Sequence, residues 1–202
     1  MSRINMLMRR YIDANNQKRL RNKEFSILSS NCNGACICHD LGVQFRSPFV
    51  NLWMSAADFI TFLENPKEYL AAPLEFVRQK DVAYPVARLK DVTLYFEHYG
   101  SEQEAQEQWL RRTARIDWDN LFVLMTERDG CTPELLRRFD ALPYTNKVVF
   151  THVPYPELTS AVYIPGFENE DCLGVCSEFV NGYSGRKWYD AFDYVSWLNG
   201  GK

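Results

Sequence analysis

The stretch Phe25-Ser-Ile-Leu-Ser-Ser-Asn-Cys-Asn-Gly-Ala-Cys-Ile-Cys-His-Asp-Leu-Gly42 limits what this chain can fold into more than any other. Phe25, Ile27 and Leu28 form a short apolar run, and Ser29, Ser30 and Asn31 break it. Gly34 and Ala35 are small enough for a helix to begin close against the strand it follows. A buried strand running straight into a helix is the opening unit of an α/β fold, and its turn is where chemistry is expected. Cys32 falls at the helix N-terminus, where unpaired N–H groups and the dipole favour a thiolate, so its pKa is expected to fall. The other reading, a buried structural cysteine, stays open.

Further along the chain, strand and helix signals alternate. Residues 55–70 read as an amphipathic helix capped by Ser55 and kinked or ended by Pro66. Val86–Leu89 and Val92–Phe96 read as strands joined by a turn at Lys90-Asp91. Ser101 and Glu104 form a capping-box pattern for a helix running to about Ile116. Asn120-Leu-Phe-Val-Leu-Met-Thr126 is the clearest strand, and Thr132-Pro133-Glu134 starts the next helix with an N-cap, a proline at N1 and an acid in the first turn. Lys147–His152 is another strand, Ala161–Ile164 a short one, and Trp188–Leu198 a final aromatic helix. The expected architecture is α/β in three layers, a mostly parallel sheet flanked by helices, with an N-terminal amphipathic helix. Residues 1–24 form a basic amphipathic segment and residues 25–202 a single α/β domain.

With 46% hydrophobic residues among 202, the chain can bury a real core. A net charge of −3 argues against general nucleic-acid binding, which needs a basic face. The charge is uneven, because residues 1–24 hold seven Lys/Arg against two acids, a balance of +5 that leaves −8 for the remainder. Ile4, Leu7, Met8, Tyr11 and Ile12 recur there at helical spacing. Two readings follow: the segment touches an anionic membrane surface, or it packs on its own domain with a solvated basic face. No apolar run reaches the roughly 18 residues a spanning helix needs, and no secretory leader pattern is seen. The six cysteines therefore read as free thiols, and the expected location is cytoplasmic, peripheral at the inner membrane face.

Four expected strands finish on polar or reactive residues: Asn31-Cys32, Glu97-His98, Glu127-Arg128-Asp129 and Thr151-His152. Ligands of open parallel sheets bind outside the carboxyl ends of the strands, so parallel neighbours would bring these clusters to one edge. Cys32, His98 and Asp129 then serve as nucleophile, base and orienter, with His152 as substitute base. Arg128, or the N–H groups after Cys32, would hold an oxyanion or a phosphate. Asn31, Asn33, Glu127 and His152 belong to the same clusters and are expected to contact substrate. Arg111, Arg112 and Arg115 read either as charges that complement a helix C-terminus or as a clamp on substrate phosphates. The Cys32, Cys36, Cys38 and His39 spacing is not a usual zinc pattern, and no glycine-rich phosphate loop follows a strand, so no metal or cofactor is expected.

Five ordered segments resemble a bacterial family labelled exopolysaccharide biosynthesis protein. They are Phe25-Ser-Ile-Leu-Ser-Ser-Asn-Cys-Asn-Gly34, Leu41-Gly-Val-Gln-Phe-Arg-Ser-Pro-Phe49, Phe96-Glu-His-Tyr99, Trp109-Leu-Arg-Arg-Thr-Ala-Arg115 and Asp119-Asn-Leu-Phe-Val-Leu-Met-Thr-Glu-Arg-Asp-Gly-Cys-Thr132. The resemblance implies an α/β fold and a role in capsule, exopolysaccharide or lipopolysaccharide assembly. A transferase acting on a glycan or its activated sugar or lipid-linked precursor is then expected, with Cys32 as nucleophile. The rival expectation is a non-catalytic glycan-binding or assembly protein, for which five Trp and eleven Tyr offer stacking surfaces. A fainter similarity, through Asn31-Cys32, Ser47-Pro48-Phe49, His98 and Arg111-Arg112, is to a family described as papain-like cysteine peptidases. It departs at Val50, where that family tends to place an Asp-Trp pair.

Overall fold

A computed structural model describes residues 2–80 and 82–200; positions 1, 81, 201 and 202 lie outside it. The chain runs α1 (Arg3–Arg19), β1 (Ser26–Ser29), α2 (Asn33–Asp40), α3 (Ala56–Glu64), α4 (Pro66–Ala71), β2 (Glu75–Val77), β3 (Val86–Leu89), β4 (Val92–Tyr95) and α5 (Glu102–Thr113). It continues through β5 (Leu121–Thr126), α6 (Pro133–Asp140), β6 (Lys147–Thr151), β7 (Ala161–Tyr163), a 3-10 turn at Trp188–Ala191 and α7 (Tyr194–Leu198).

A four-stranded parallel sheet, in the order β1-β5-β6-β7, forms the middle layer. Successive side chains of a strand point to opposite faces, and here both faces are covered. Ile27, Phe122, Leu124, Val148 and Phe150 pack into one core with α2 and the C-terminal segment. Leu28, Val123, Met125 and Val149 pack into the other with α3, α5, α6 and the second sheet. The expected α/β class with helices flanking a parallel sheet is what the chain adopts.

Local signals act where the sequence places them. Ser55, Ser101 and Thr132 each accept a backbone N–H as N-caps, and Pro66 and Pro133 open helices. Glu104 departs from a full capping box, its carboxylate taking the Gly100 N–H at 3.1 Å. Gly34 is tightly required: a Cβ there would lie 2.9 Å from both Ile27 Cγ2 and Ser29 Cβ.

Three expectations are corrected. The strand ending at Glu97-His98 is not a neighbour of the parallel strands; β4 belongs to a separate antiparallel sheet, β2-β3-β4. The final aromatic helix breaks at Phe192-Asp193, because Asp193 caps a new helix by accepting the Ser196 N–H. Last, α1 does pack on the domain, yet through polar Asn5 and Arg9, while Ile4, Leu7, Met8 and Tyr11 face outward. Among the described residues no helix is long and apolar enough to cross a membrane.

Candidate functional site

The chain leaving β1 enters α2, whose Ile37 and Cys38 join one core, whereas the chain leaving β5 enters α6, whose Leu136 and Phe139 join the other. Adjacent parallel strands whose exits turn to opposite faces leave a crevice at their carboxyl ends. A cavity of about 450 Å³ occupies that place, lined by Asn31, Cys32 and Asn33 from the first exit and by Arg128 and Asp129 from the second.

The antiparallel sheet reaches the same cavity by a detour. Trp53 and Tyr95 exchange two backbone hydrogen bonds at 3.0 Å, and Met54 N–H donates to the Ser30 carbonyl at 3.0 Å. Segment 51–54 thereby ties the end of β4 to the end of β1 and carries Glu97 and His98 to the cavity mouth. Asn51, in the left-handed region with φ 63°, accepts the His98 N–H at 3.4 Å. The Trp53 indole stacks on the Tyr95 ring with centroids 4.0 Å apart and planes 6° from parallel, and Trp53 and Tyr84 add aromatic wall.

The turn residues are held by bonds of their own. Asn31 Nδ2 donates to Thr126 Oγ1 at 2.6 Å, while Asn31 Oδ1 accepts the Asn33 N–H at 3.2 Å. Asp129 adopts φ 54°, a left-handed conformation that is uncommon for any residue but glycine, and its carbonyl accepts the Ala56 N–H at 3.0 Å. Strain of that kind persists where surrounding contacts over-determine it, and it concentrates at functional sites.

Electrostatics change the roles the sequence suggested. Burial pushes the Cys32 thiol up to about 11, with Cys36 and Glu97 adding to it against backbone hydrogen bonds from the 51–52 segment. The expected thiolate is thus overturned: desolvation of a half-buried sulfur outweighs the pull of a short helix N-terminus. Cys32 Sγ donates to the Leu52 carbonyl at 3.8 Å, and no imidazole is within hydrogen-bonding distance of it among the described residues. The Asp129 carboxyl is raised as well, by burial first and by Glu97, with Arg128 opposing. Arg128 itself enters no ion pair among the described residues, so its guanidinium is available to an anion in the cavity.

The other sequence candidates lie elsewhere. Glu127 is buried and spends its carboxylate on the His152 backbone N–H (2.8 Å), on His152 Nδ1 (2.6 Å) and on the Tyr155 hydroxyl (2.9 Å). His152 therefore does not line the cavity as a substitute base. Arg111, Arg112 and Arg115 stay at the end of α5; Arg112 donates to the Tyr99 hydroxyl at 2.6 Å and lies 5.8 Å from the Phe45 ring centre. None of the three lines the cavity. Cys38 is buried in the core while the His39 side chain is 81% exposed, so the cysteine-rich run does not converge.

Residues that sequence reasoning passed over also line the site. Glu97 stood next to His98 and could have been given a role on adjacency alone. Trp53, Tyr84 and Ser177 come from irregular segments whose periodicity carries no such signal.

Residues 3–199 match the family described as Domain of unknown function (DUF1919). The chain belongs to that family. An uncharacterized protein of Haemophilus influenzae is 49% identical over 198 residues, covering 98% of this chain and 95% of the relative. The DUF1919 match includes α1 and the C-terminal segment that holds it as well as the sheet, and it names neither a polysaccharide nor a peptidase role.

Proposed function

We propose that the protein is a transferase of cell-surface polysaccharide biosynthesis, acting at the cytoplasmic membrane face on a glycan or its activated, anionic precursor. One observation carries the reading: Cys32, Glu97, His98, Arg128 and Asp129 meet in one half-open cavity beside the stacked Trp53. An unpaired guanidinium suits a phosphate or pyrophosphate, and an aromatic face suits a sugar ring. The sequence resemblance supplies the polysaccharide context. Asp129, whose carboxyl is raised by burial, and His98 are the groups suited to take the proton of an acceptor hydroxyl while Arg128 neutralises the leaving phosphate. Cys32 can attack only after such a base removes its proton.

That raised thiol, bonded to a carbonyl and not to an imidazole, favours a second reading in which the same cavity binds glycan without covalent chemistry. The test uses cells carrying a variant as their sole copy, with surface polysaccharide quantified. Asp129→Asn and Arg128→Ala should abolish the modification while the purified proteins stay folded. Loss with Cys32→Ser as deep as with Asp129→Asn supports a covalent route, and retention supports the non-covalent one. Normal polysaccharide in all three overturns the transferase and the glycan-binding readings together.

A further inference from the structure

α1 is fastened to the body by its polar side. Asn5 donates to the Asn181 carbonyl at 2.6 Å and accepts the Gly185 N–H at 2.8 Å. Arg9 is buried among Asp13 (2.7 Å), Asp190 (2.5 Å) and Asp40 (3.2 Å). Further down, Asn16 donates to the Tyr194 hydroxyl at 3.0 Å and Gln17 to the Asp40 carbonyl at 2.9 Å. A helix held to the body at Asn5, at Arg9 and again at Asn16 and Gln17 cannot roll, so the side it presents to solvent is set.

That side is apolar. Ile4 is 60% exposed, Leu7 64% and Tyr11 66%, and Met8 joins them; the 4, 7, 8, 11 spacing makes one stripe along the helix. Soluble helices bury such a stripe and expose their polar residues, the reverse of what α1 does. Exposed Arg3 and Arg10 run along one side of the stripe and exposed Lys18 continues its line toward the C-terminal end, and the one acid within the helix, Asp13, is taken by Arg9.

The geometry points to α1 as a fixed, interface-parallel helix that docks the protein on an anionic lipid surface, its stripe entering the acyl boundary and its cations meeting headgroups. An apolar stripe rimmed by Lys/Arg is the composition of helices that lie in the membrane interface. Concentrating +5 in residues 1–24 of a chain whose remainder is −8 orients the molecule toward such a surface. A second copy is the poorer fit, because a two-fold pairing through this stripe would bring the two basic rims together. The inference does not depend on the reaction proposed for the cavity.

The test is sedimentation of the full chain with vesicles of phosphatidylcholine alone or mixed equally with phosphatidylglycerol, at low and high salt. Binding is expected to the anionic vesicles, weakening with salt. Leu7→Glu/Tyr11→Glu, on exposed positions, should unfold at the wild-type temperature yet weaken binding at least tenfold. Arg10→Glu and Lys18→Glu should each weaken it about fivefold and flatten the salt dependence. Absence of binding to anionic vesicles, or equal binding by the Leu7/Tyr11 variant, overturns the proposal. So does a lipid-free dimer that the same variant converts to monomer, since the stripe then belongs to a second copy.

Discussion

Asn31, two residues beyond the end of β1, and Thr126, the last residue of the adjacent parallel strand β5, are joined by a hydrogen bond, Asn31 Nδ2 donating to Thr126 Oγ1 at 2.6 Å across 95 residues of sequence. The bond sets the exit of β1 relative to the exit of β5, and so the distance from Cys32 to Arg128 and Asp129. Thr126→Val keeps the shape and removes the acceptor. It should lower stability by about 1–3 kcal/mol, the penalty for an unpaired polar group in a half-buried site. A urea midpoint equal to that of the wild type would refute this.

Gly34→Ala should be costly for steric reasons. The added methyl would stand 2.9 Å from Ile27 Cγ2 and Ser29 Cβ, so α2 must move off the sheet. Overpacking of this kind costs about 1–3 kcal/mol. Equilibrium denaturation reads the loss, and a neutral substitution would mean that α2 can shift freely.

Arg9→Met tests the buried charge cluster that holds α1. The arginine side chain is 7% exposed, and its partners Asp40 and Asp190 are 4% and 8% exposed, so its removal takes the cation from buried Asp190 while Asp40 keeps Lys187 at 2.8 Å. A loss of about 3–5 kcal/mol is expected. Adding Asp190→Asn should return part of it, the signature of coupled sites in a double-mutant cycle. Strict additivity of the two changes would contradict the ion pair.

Alkaline pH should destabilise the fold. Burial pushes Cys32 up to about 11 and Cys38, Cys131 and Cys176 up to about 12, from an ordinary value of 9.0. Above pH 9 the unfolded chain has released protons that the native state still holds, so stability is fully present below that pH and declines as pH climbs toward 12. Urea midpoints should therefore hold near pH 8 and fall from about pH 9 to pH 10.5, and a flat profile would refute the shifts.

The same sulfur gives a kinetic check. At pH 7 Cys32 should react with iodoacetamide more slowly than free cysteine, because little of it is thiolate. A rate faster than free cysteine would restore the activated nucleophile expected from its position in sequence.

Much of the fold was legible along the chain. Apolar Leu121–Met125, the Thr132-Pro133 helix start, the Ser55 and Ser101 caps and the Lys90 turn with its left-handed φ of 59° depend on residues within a few positions of one another. The alignment of Cys32 and Asp129 at one edge was legible for a related reason: in a parallel sheet every strand end after a polar residue points the same way. His98 arrived there for another cause, since the end of β4 is tied to the cavity by the Trp53–Tyr95 pairing and the Asn51–His98 bond.

What the sequence by itself determined is the set of elements and the polar tips they carry, because capping, periodicity and turn chemistry act over three or four residues. What only the tertiary structure decided is which side of a segment meets which neighbour. Arg9 is buried because Asp190 and Asp40, far away in sequence, surround it, and that arrangement turns the apolar side of α1 outward. Cys32 has its pKa raised by burial, against the hydrogen bonds of the 51–52 segment, and desolvation is a property of whatever packs nearby, which local sequence does not record.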